Sequence, residues 1–202
     1  MEDGCQRGAL FAALRLSETE LGRRWAALRP EARGRFPGLK PKQVADLHVT
    51  LVYLGHGWKE EQLLLLRERI RLELPQPVEC SFTVARLGSK ARIVGLDLVG
   101  LPETAGAALV AVKGRLAAEG LNRPEAQDGI FRPHATLAEV RGTPTRAQRE
   151  ALSAFTRWIG PALDLDSLRV ELRPRGSLLL AGASRPQPGP DYIEVEAFLA
   201  GL

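Results

Sequence analysis

Two of the three histidines in the chain stand in the same local string, His48-Val49-Thr50-Leu51 and His134-Ala135-Thr136-Leu137. In an extended strand successive side chains alternate between faces, so His and Thr at i and i+2 share one face and the residues between them take the other. Each string therefore offers an imidazole beside a hydroxyl, and the pair of strings offers a quartet. Near neutral pH one imidazole can be neutral and accept a proton while another is charged and donates one. Two such rings on opposite sides of a phosphorus atom would serve the attacking and leaving oxygens of a phosphodiester without a metal ion. The two threonine hydroxyls would donate to the nonbridging oxygens as their charge redistributes in the transition state.

Both strings must be strands for this to work, and the periodicity around them predicts it. Ala9 to Leu16 reads as a strand, followed by an N-cap at Ser17-Glu18-Thr19-Glu20 and a helix to about Leu28, where Pro30 stops it. Arg29 to Lys42 reads as a basic loop rich in Pro and Gly. A strand at about 47–54 carries the first string, then a helix runs from Lys59 to about Leu72, and strands follow at Val78 to Leu87 and Ala91 to Val99. Pro102 opens an Ala-rich helix ending near Gly120, Leu121 to Arg132 is a polar loop, and a strand at about 133–140 carries the second string. Thr143-Pro144 caps a helix to about Ile159, and Leu165 to Leu172, Ser177 to Ala181 and Tyr192 to Leu199 read as three closing strands. The order helix, loop, strand, helix, two strands thus occurs twice. The expected fold is α+β, with two related lobes in a single domain over residues 1–202.

Composition fits that size and bounds the partners. With 202 residues, 45% hydrophobic and 26% charged, the chain is an ordinary globular one, and disorder, collagen and coiled coil are excluded as whole-chain readings. A net charge of +4 tolerates an anionic partner without demanding one, which excludes a histone-like electrostatic binder. Cys5 and Cys80 form no metal-ligand spacing or disulfide framework. Apolar stretches fall far short of a bilayer span and the Met-Glu-Asp opening has no basic leader region. A cytoplasmic monomer, with no membrane partner and no cofactor, is the expectation. Walker A, GxSxG, GxGxxG and HExxH strings are absent from the sequence.

The strings Asp46-Leu47-His48-Val49-Thr50-Leu51-Val52-Tyr53-Leu54-Gly55 and Phe131-Arg132-Pro133-His134-Ala135-Thr136-Leu137-Ala138 resemble the signature strands of the 2H phosphoesterase superfamily. The branch of the 2′-5′ RNA ligase-like RNA 2′,3′-cyclic phosphodiesterases is the most similar, through the opening strand, the spacing of the motifs and the closing stretch with Ser184 and Tyr192. The resemblance implies two lobes related by a pseudo-twofold, each an antiparallel-rich sheet with helices on the outside, around a central cleft. It also implies metal-independent opening of a terminal RNA 2′,3′-cyclic phosphate to a 2′-phosphate, with reversible 2′-5′ ligation in some relatives. His48 and His134 inherit the catalytic roles, and Thr50 and Thr136 the phosphate-binding ones. The family's usual division makes His134 the base that activates water and His48 the acid, whereas the symmetry of the residues alone allows the reverse. The chain departs from the family in having few aromatic residues, 5% of the total, so platforms for stacking bases are scarce.

Other residues are weaker candidates, each with a plain structural alternative. Arg132, two positions before His134, would share its face and pair with phosphate, or else be a solvated residue at the strand entry. Asp46 bears the same relation to His48 and would orient its ring or repel substrate, or simply lead into the strand. Lys40 and Lys42, with Arg29, Arg33 and Arg35, would follow an RNA backbone if the loop is more than a solvated one. Trp58 would stack on a base or cap the core, and Tyr192 is a further substrate-binding candidate. A three-histidine metal site with His56 lacks supporting acidic or cysteine ligands. The alternative functions are a phosphodiesterase for 2′-5′-linked oligoadenylates or a small cyclic nucleotide, and a noncatalytic RNA- or nucleotide-binding module.

Overall fold

A computed structural model describes residues 9–56, 78–88, 91–120, 132–172, 179–183 and 192–194. The strands are β1 (Ala9–Arg15), β2 (Lys40–Pro41), β3 (His48–His56), β4 (Val78–Leu87), β5 (Ile93–Val99), β6 (His134–Glu139), β7 (Val170–Leu172), β8 (Leu179–Ala183) and β9 (Tyr192–Glu194). The helices are α1 (Glu20–Arg35), α2 (Glu103–Ala118) and α3 (Arg146–Leu163). The strands join one antiparallel sheet in the order β7-β4-β5-β6-β3-β1-β8-β9, with β2 pairing β6. Four strands lie on either side of the β6/β3 junction, and the two halves correspond: β5 flanks β6 as β1 flanks β3, and β4 follows as β8 does. This is the α+β, pseudo-twofold architecture expected from the sequence.

One face of the sheet is packed against α1 and α3. Leu152, Phe155, Ile159 and Leu163 recur on one side of α3 and are fully buried. Trp25 of α1 meets Phe155 edge-on at 6.3 Å, and Phe36 meets Phe155 edge-on at 5.3 Å. Such pairs add about 1 kcal/mol each beyond the roughly 1.5–3 kcal/mol from burying each large apolar side chain. From the sheet, Val49, Leu96, Ala135 and Leu137 enter the same core. Val49 and Ala135 are the residues between His and Thr in the two strings, so burying them turns both His-Thr pairs to the opposite face.

Several local expectations are corrected. Pro30 lies inside α1, which continues to Arg35. The missing amide costs up to about 3 kcal/mol, and burial of Ala32 and Phe36 beyond it offsets that cost. Arg29, Arg33 and Arg35 therefore sit on a helix and not in a loop. Thr19, not Ser17, caps α1, accepting from Gly22 N at 3.3 Å. Thr145, not Thr143, caps α3 through a reciprocal box with Gln148. The stretch from Leu165 begins as a 3-10 turn, Leu165–Ser167, before β7. The helix expected from Lys59 to Leu72 and the loop from Leu121 to Phe131 lie outside the described residues. No helix among the described residues is long and apolar enough to cross a membrane.

Candidate active site

The two His-x-Thr strands are neighbours at the centre of the sheet, in antiparallel register at Val49↔Ala135. Continued by one residue each way, that register sets His48 across from Thr136 and Thr50 across from His134. The two strands pair at this one position, and the four side chains flank it, a square on the face opposite Val49 and Ala135. All four residues are partly exposed, whereas Val49 and Ala135 behind them are fully buried.

Each imidazole is held in the same way. His48 Nδ1–H donates to the Asp46 carbonyl at 2.7 Å, and His134 Nδ1–H donates to the Arg132 carbonyl at 2.9 Å. A carbonyl only accepts, so the proton is fixed on Nδ1 and the Nε2 lone pair of the neutral ring is left for chemistry. Asp46, itself buried, thus orients His48 through its main-chain carbonyl.

The flanking strands repeat the symmetry. Ala12 pairs Val52 and Ala13 pairs Thr50, so Leu51 is an extra residue opposite that step. Val94 pairs Ala138 and Gly95 pairs Thr136, so Leu137 is the extra residue in the other half. Both bulges fall directly after the Thr of a His-x-Thr string, where bulges re-aim side chains and increase local twist.

The two rings differ in their surroundings. Phe11 of β1, itself buried, stacks on His48 at 4.8 Å between centroids and 22° between planes. Burial lowers the His48 pKa from 6.5 to about 4; the Asp46 carbonyl opposes this, and the charges of Lys42 and His134 add to it. Beside His134 the register partner on β5 is Asp97, whose carboxylate grips the Arg132 guanidinium with Nη2–Oδ2 at 2.7 Å and Nε–Oδ2 at 3.1 Å. Neither Phe11 nor Asp97 was singled out from the sequence. Asp97 could have been, as the one charged residue in the apolar string Ile93-Val94-Gly95-Leu96-Asp97-Leu98-Val99.

The remaining candidates scatter. Lys42 is buried, only 6% exposed, and its Nζ pairs with Glu139 Oε1 at 3.2 Å, so it does not reach solvent as an RNA-binding residue would. Its backbone explains the position: Lys42 N donates to Leu137 O, and Trp25 Nε1 donates to Lys42 O at 2.9 Å, drawing the residue into the core. Lys40 is in β2, in register with Glu139. Arg35 pairs with Glu31 and lies over the Phe36 and Trp158 rings. Tyr192 begins β9, the outer strand three removed from β3. Trp58 lies outside the described residues, and His56 ends β3 away from the square. Among the described residues, no group of three His, Cys, Asp or Glu side chains is arranged to hold a metal ion.

No family model matches the chain, and no curated protein matches it. Solved structures do. TT0787 of Thermus thermophilus is similar over 93% of this chain and 94% of its own, with 23% identity and a TM-score of 0.57. E. coli LigT complexed with 3′-AMP is similar over 93% and 94%, with 18% identity and a TM-score of 0.58. A structure described as a phosphoesterase is similar over 93% and 95%, with 19% identity and a TM-score of 0.55. At these identities the likeness is one of fold alone, and it runs along nearly the whole length of the chain.

Proposed function

We propose that the chain is a metal-independent phosphodiesterase of the two-histidine kind, which opens a terminal RNA 2′,3′-cyclic phosphate to a 2′-phosphate. The observation that carries this reading is the square of His48, Thr50, His134 and Thr136, in which both rings are pinned through Nδ1 by the carbonyl two residues upstream. That arrangement leaves two Nε2 atoms and two hydroxyls on one surface, which suits in-line displacement at phosphorus. The fold shared with a structure described as a phosphoesterase, and with LigT holding 3′-AMP, supports the reaction class and a nucleotide-sized substrate.

The unequal surroundings of the rings support a division of labour. His48, stacked under Phe11 and disfavoured as a cation, is the base: its Nε2 takes a proton from water as the water oxygen bonds to phosphorus. His134, bonded at a solvent-exposed position, is the acid: it gives its proton to the departing 3′ oxygen as that P–O bond breaks. Thr50 and Thr136 donate to the nonbridging oxygens. This reverses the division implied by the family resemblance, and the physical reason is the burial of His48.

The test is hydrolysis of a short RNA bearing a 2′,3′-cyclic phosphate, with EDTA present, by the wild type, His48→Ala and His134→Ala. Turnover to a 2′-phosphate that falls by at least about a hundredfold in both variants is expected. Turnover only of 2′-5′-linked oligoadenylates or another small cyclic nucleotide would replace the substrate and keep the mechanism. Binding without turnover of any of them would leave a nucleotide-binding module.

A further inference from the structure

A cavity of about 700 Å³ lies beside the square, large enough for a nucleoside. Its lining includes Thr83, Asp97 and Val99 from the sheet, Arg132 from the approach to β6, and Leu101 and Pro102 from the turn into α2. The strand register places it. Thr83 pairs with Asp97, and Asp97 pairs with His134, so these three side chains share one face in a row across β4, β5 and β6. One step along, Leu98 N donates to Pro133 O at 2.9 Å, which brings Val99 and Arg132 side by side on the same face. At about 4.8 Å per strand, the cavity begins one strand away from the His134 ring.

The cavity's chemistry is that of a slot for a flat, polar-edged ring. The Arg132 guanidinium is gripped by Asp97 through Nε and Nη2, which fixes its plane while the side chain stays 54% exposed. Arg132 lines the cavity, and it is through Nε and Nη2 that its guanidinium meets Asp97. Val99, 44% exposed, is the large hydrophobic side chain most at odds with its surroundings among the described residues, and it lies in the same lining. A clamped guanidinium beside an apolar floor can stack on a nucleobase and hydrogen-bond its edge, a role for which the chain has few aromatic residues.

We infer that this cavity holds the base of the terminal nucleotide, with Arg132, clamped by Asp97, as its stacking platform and edge donor, so that Arg132 recognises the base and not the phosphate. The inference rests on the proposed phosphodiesterase reading for what occupies the square, and it adds the specificity-determining residues of the same site.

The experiment compares adenosine 2′,3′-cyclic monophosphate with the 2,3-cyclic phosphate of methyl riboside, which has the same reacting group and no base. For the wild type, kcat/KM is expected to favour the nucleotide by tenfold or more, through KM. Arg132→Ala, Arg132→Lys and Val99→Asp each collapse that ratio toward one. Lysine keeps the charge but loses the plane, and the Val99 change removes the apolar floor and sets a second carboxylate beside Arg132, in competition with Asp97. Circular dichroism shows whether each variant is folded, and Arg132 and Val99 are both surface residues. A ratio near one in the wild type, or an equal loss on both substrates in the Arg132 variants, overturns the inference. If the wild type turns over neither substrate, the phosphodiesterase reading fails separately, and calorimetric binding of adenosine 3′-monophosphate against inorganic phosphate decides the cavity. Nucleotide binding that weakens about tenfold in Arg132→Ala supports the base site; unchanged binding, or none in the wild type, sinks it.

Discussion

Phe11 covers His48 with a nearly parallel ring at 4.8 Å, and His134 has no such cover among the described residues. The pair of histidines is therefore symmetric in backbone position and asymmetric in environment, and the asymmetry has a kinetic signature. The acidic limb of kcat/KM reports the pKa of the base in the free enzyme, so in the wild type it is expected near the His48 value of about 4. Phe11→Ala readmits water to the ring and moves that limb upward toward pH 6.5 by about one unit or more. A wild-type limb already near 6.5 would take the role of base away from His48.

The same shift acts on stability. An unfolded histidine titrates near its ordinary 6.5, whereas folded His48 has been lowered to about 4. Between these values the unfolded chain binds more protons, so stability is fully present above the unfolded value and is lost as pH falls from about 6.5 through 4. The loss amounts to at most about 3 kcal/mol. Urea denaturation midpoints of His48→Gln should depend less on pH across this window than those of the wild type, and identical slopes would rule the linkage out.

Thr50 and Thr136 sit diagonally in the square, each across from the other string's histidine. If their hydroxyls hold nonbridging oxygens, Thr50→Val and Thr136→Val each lower kcat by about tenfold to a thousandfold. The β-branched replacement keeps the strand intact, so melting temperatures should stay within a few degrees. Serine at either position restores most of the rate. Unchanged rates in both valine variants would leave the threonines as strand formers only.

The quartet was legible in the sequence because a period-two pattern is local: His48 and Thr50 need only each other and a strand to share a face. The pairing of the two strings was not, since the Val49↔Ala135 register depends on the topology of the whole sheet. Phe11, Asp97 and Lys42 were unreadable for the same reason. Phe11 looks like any apolar strand residue until β1 is placed beside β3, and Lys42 looks like a loop cation until Glu139 of β6 meets it. Pro30 signals a helix end locally, and the burial of Ala32 and Phe36 that carries α1 past it is set by tertiary packing that the local string does not contain.

The Lys42–Glu139 pair is buried behind the site, with the lysine 7% and the glutamate 25% exposed at the side chain. Removing either side chain takes one charge-assisted partner from the other, which costs about 1–3 kcal/mol. Lys42→Met and Glu139→Leu should therefore each be destabilised, while the double variant recovers most of the loss. Denaturant unfolding of the two singles and the double measures the coupling. A double variant as unstable as the sum of the singles would show that the two side chains act independently.

Gly95 is the residue on which the second bulge turns. A Cβ built there would lie 2.4 Å from the Ala135 carbonyl oxygen and 2.8 Å from Leu87 Cδ1. The leucine methyl can yield, but the carbonyl belongs to β6 between His134 and Thr136, so β5 and β6 must separate to admit a methyl group. The corresponding position beside Thr50 is Ala13, which already carries a Cβ, so the two halves differ in how closely the flanking strand approaches the motif. Gly95→Ala is expected to cost about 1–3 kcal/mol and to lower kcat as well, because His134 and Thr136 ride on the displaced strand. Ala13→Gly, by contrast, opens space without moving β3 and should lower stability with a smaller loss of rate. Unfolding and kinetics of both variants provide the check, and a Gly95→Ala protein with wild-type rate and stability would show that the close approach does not position the square.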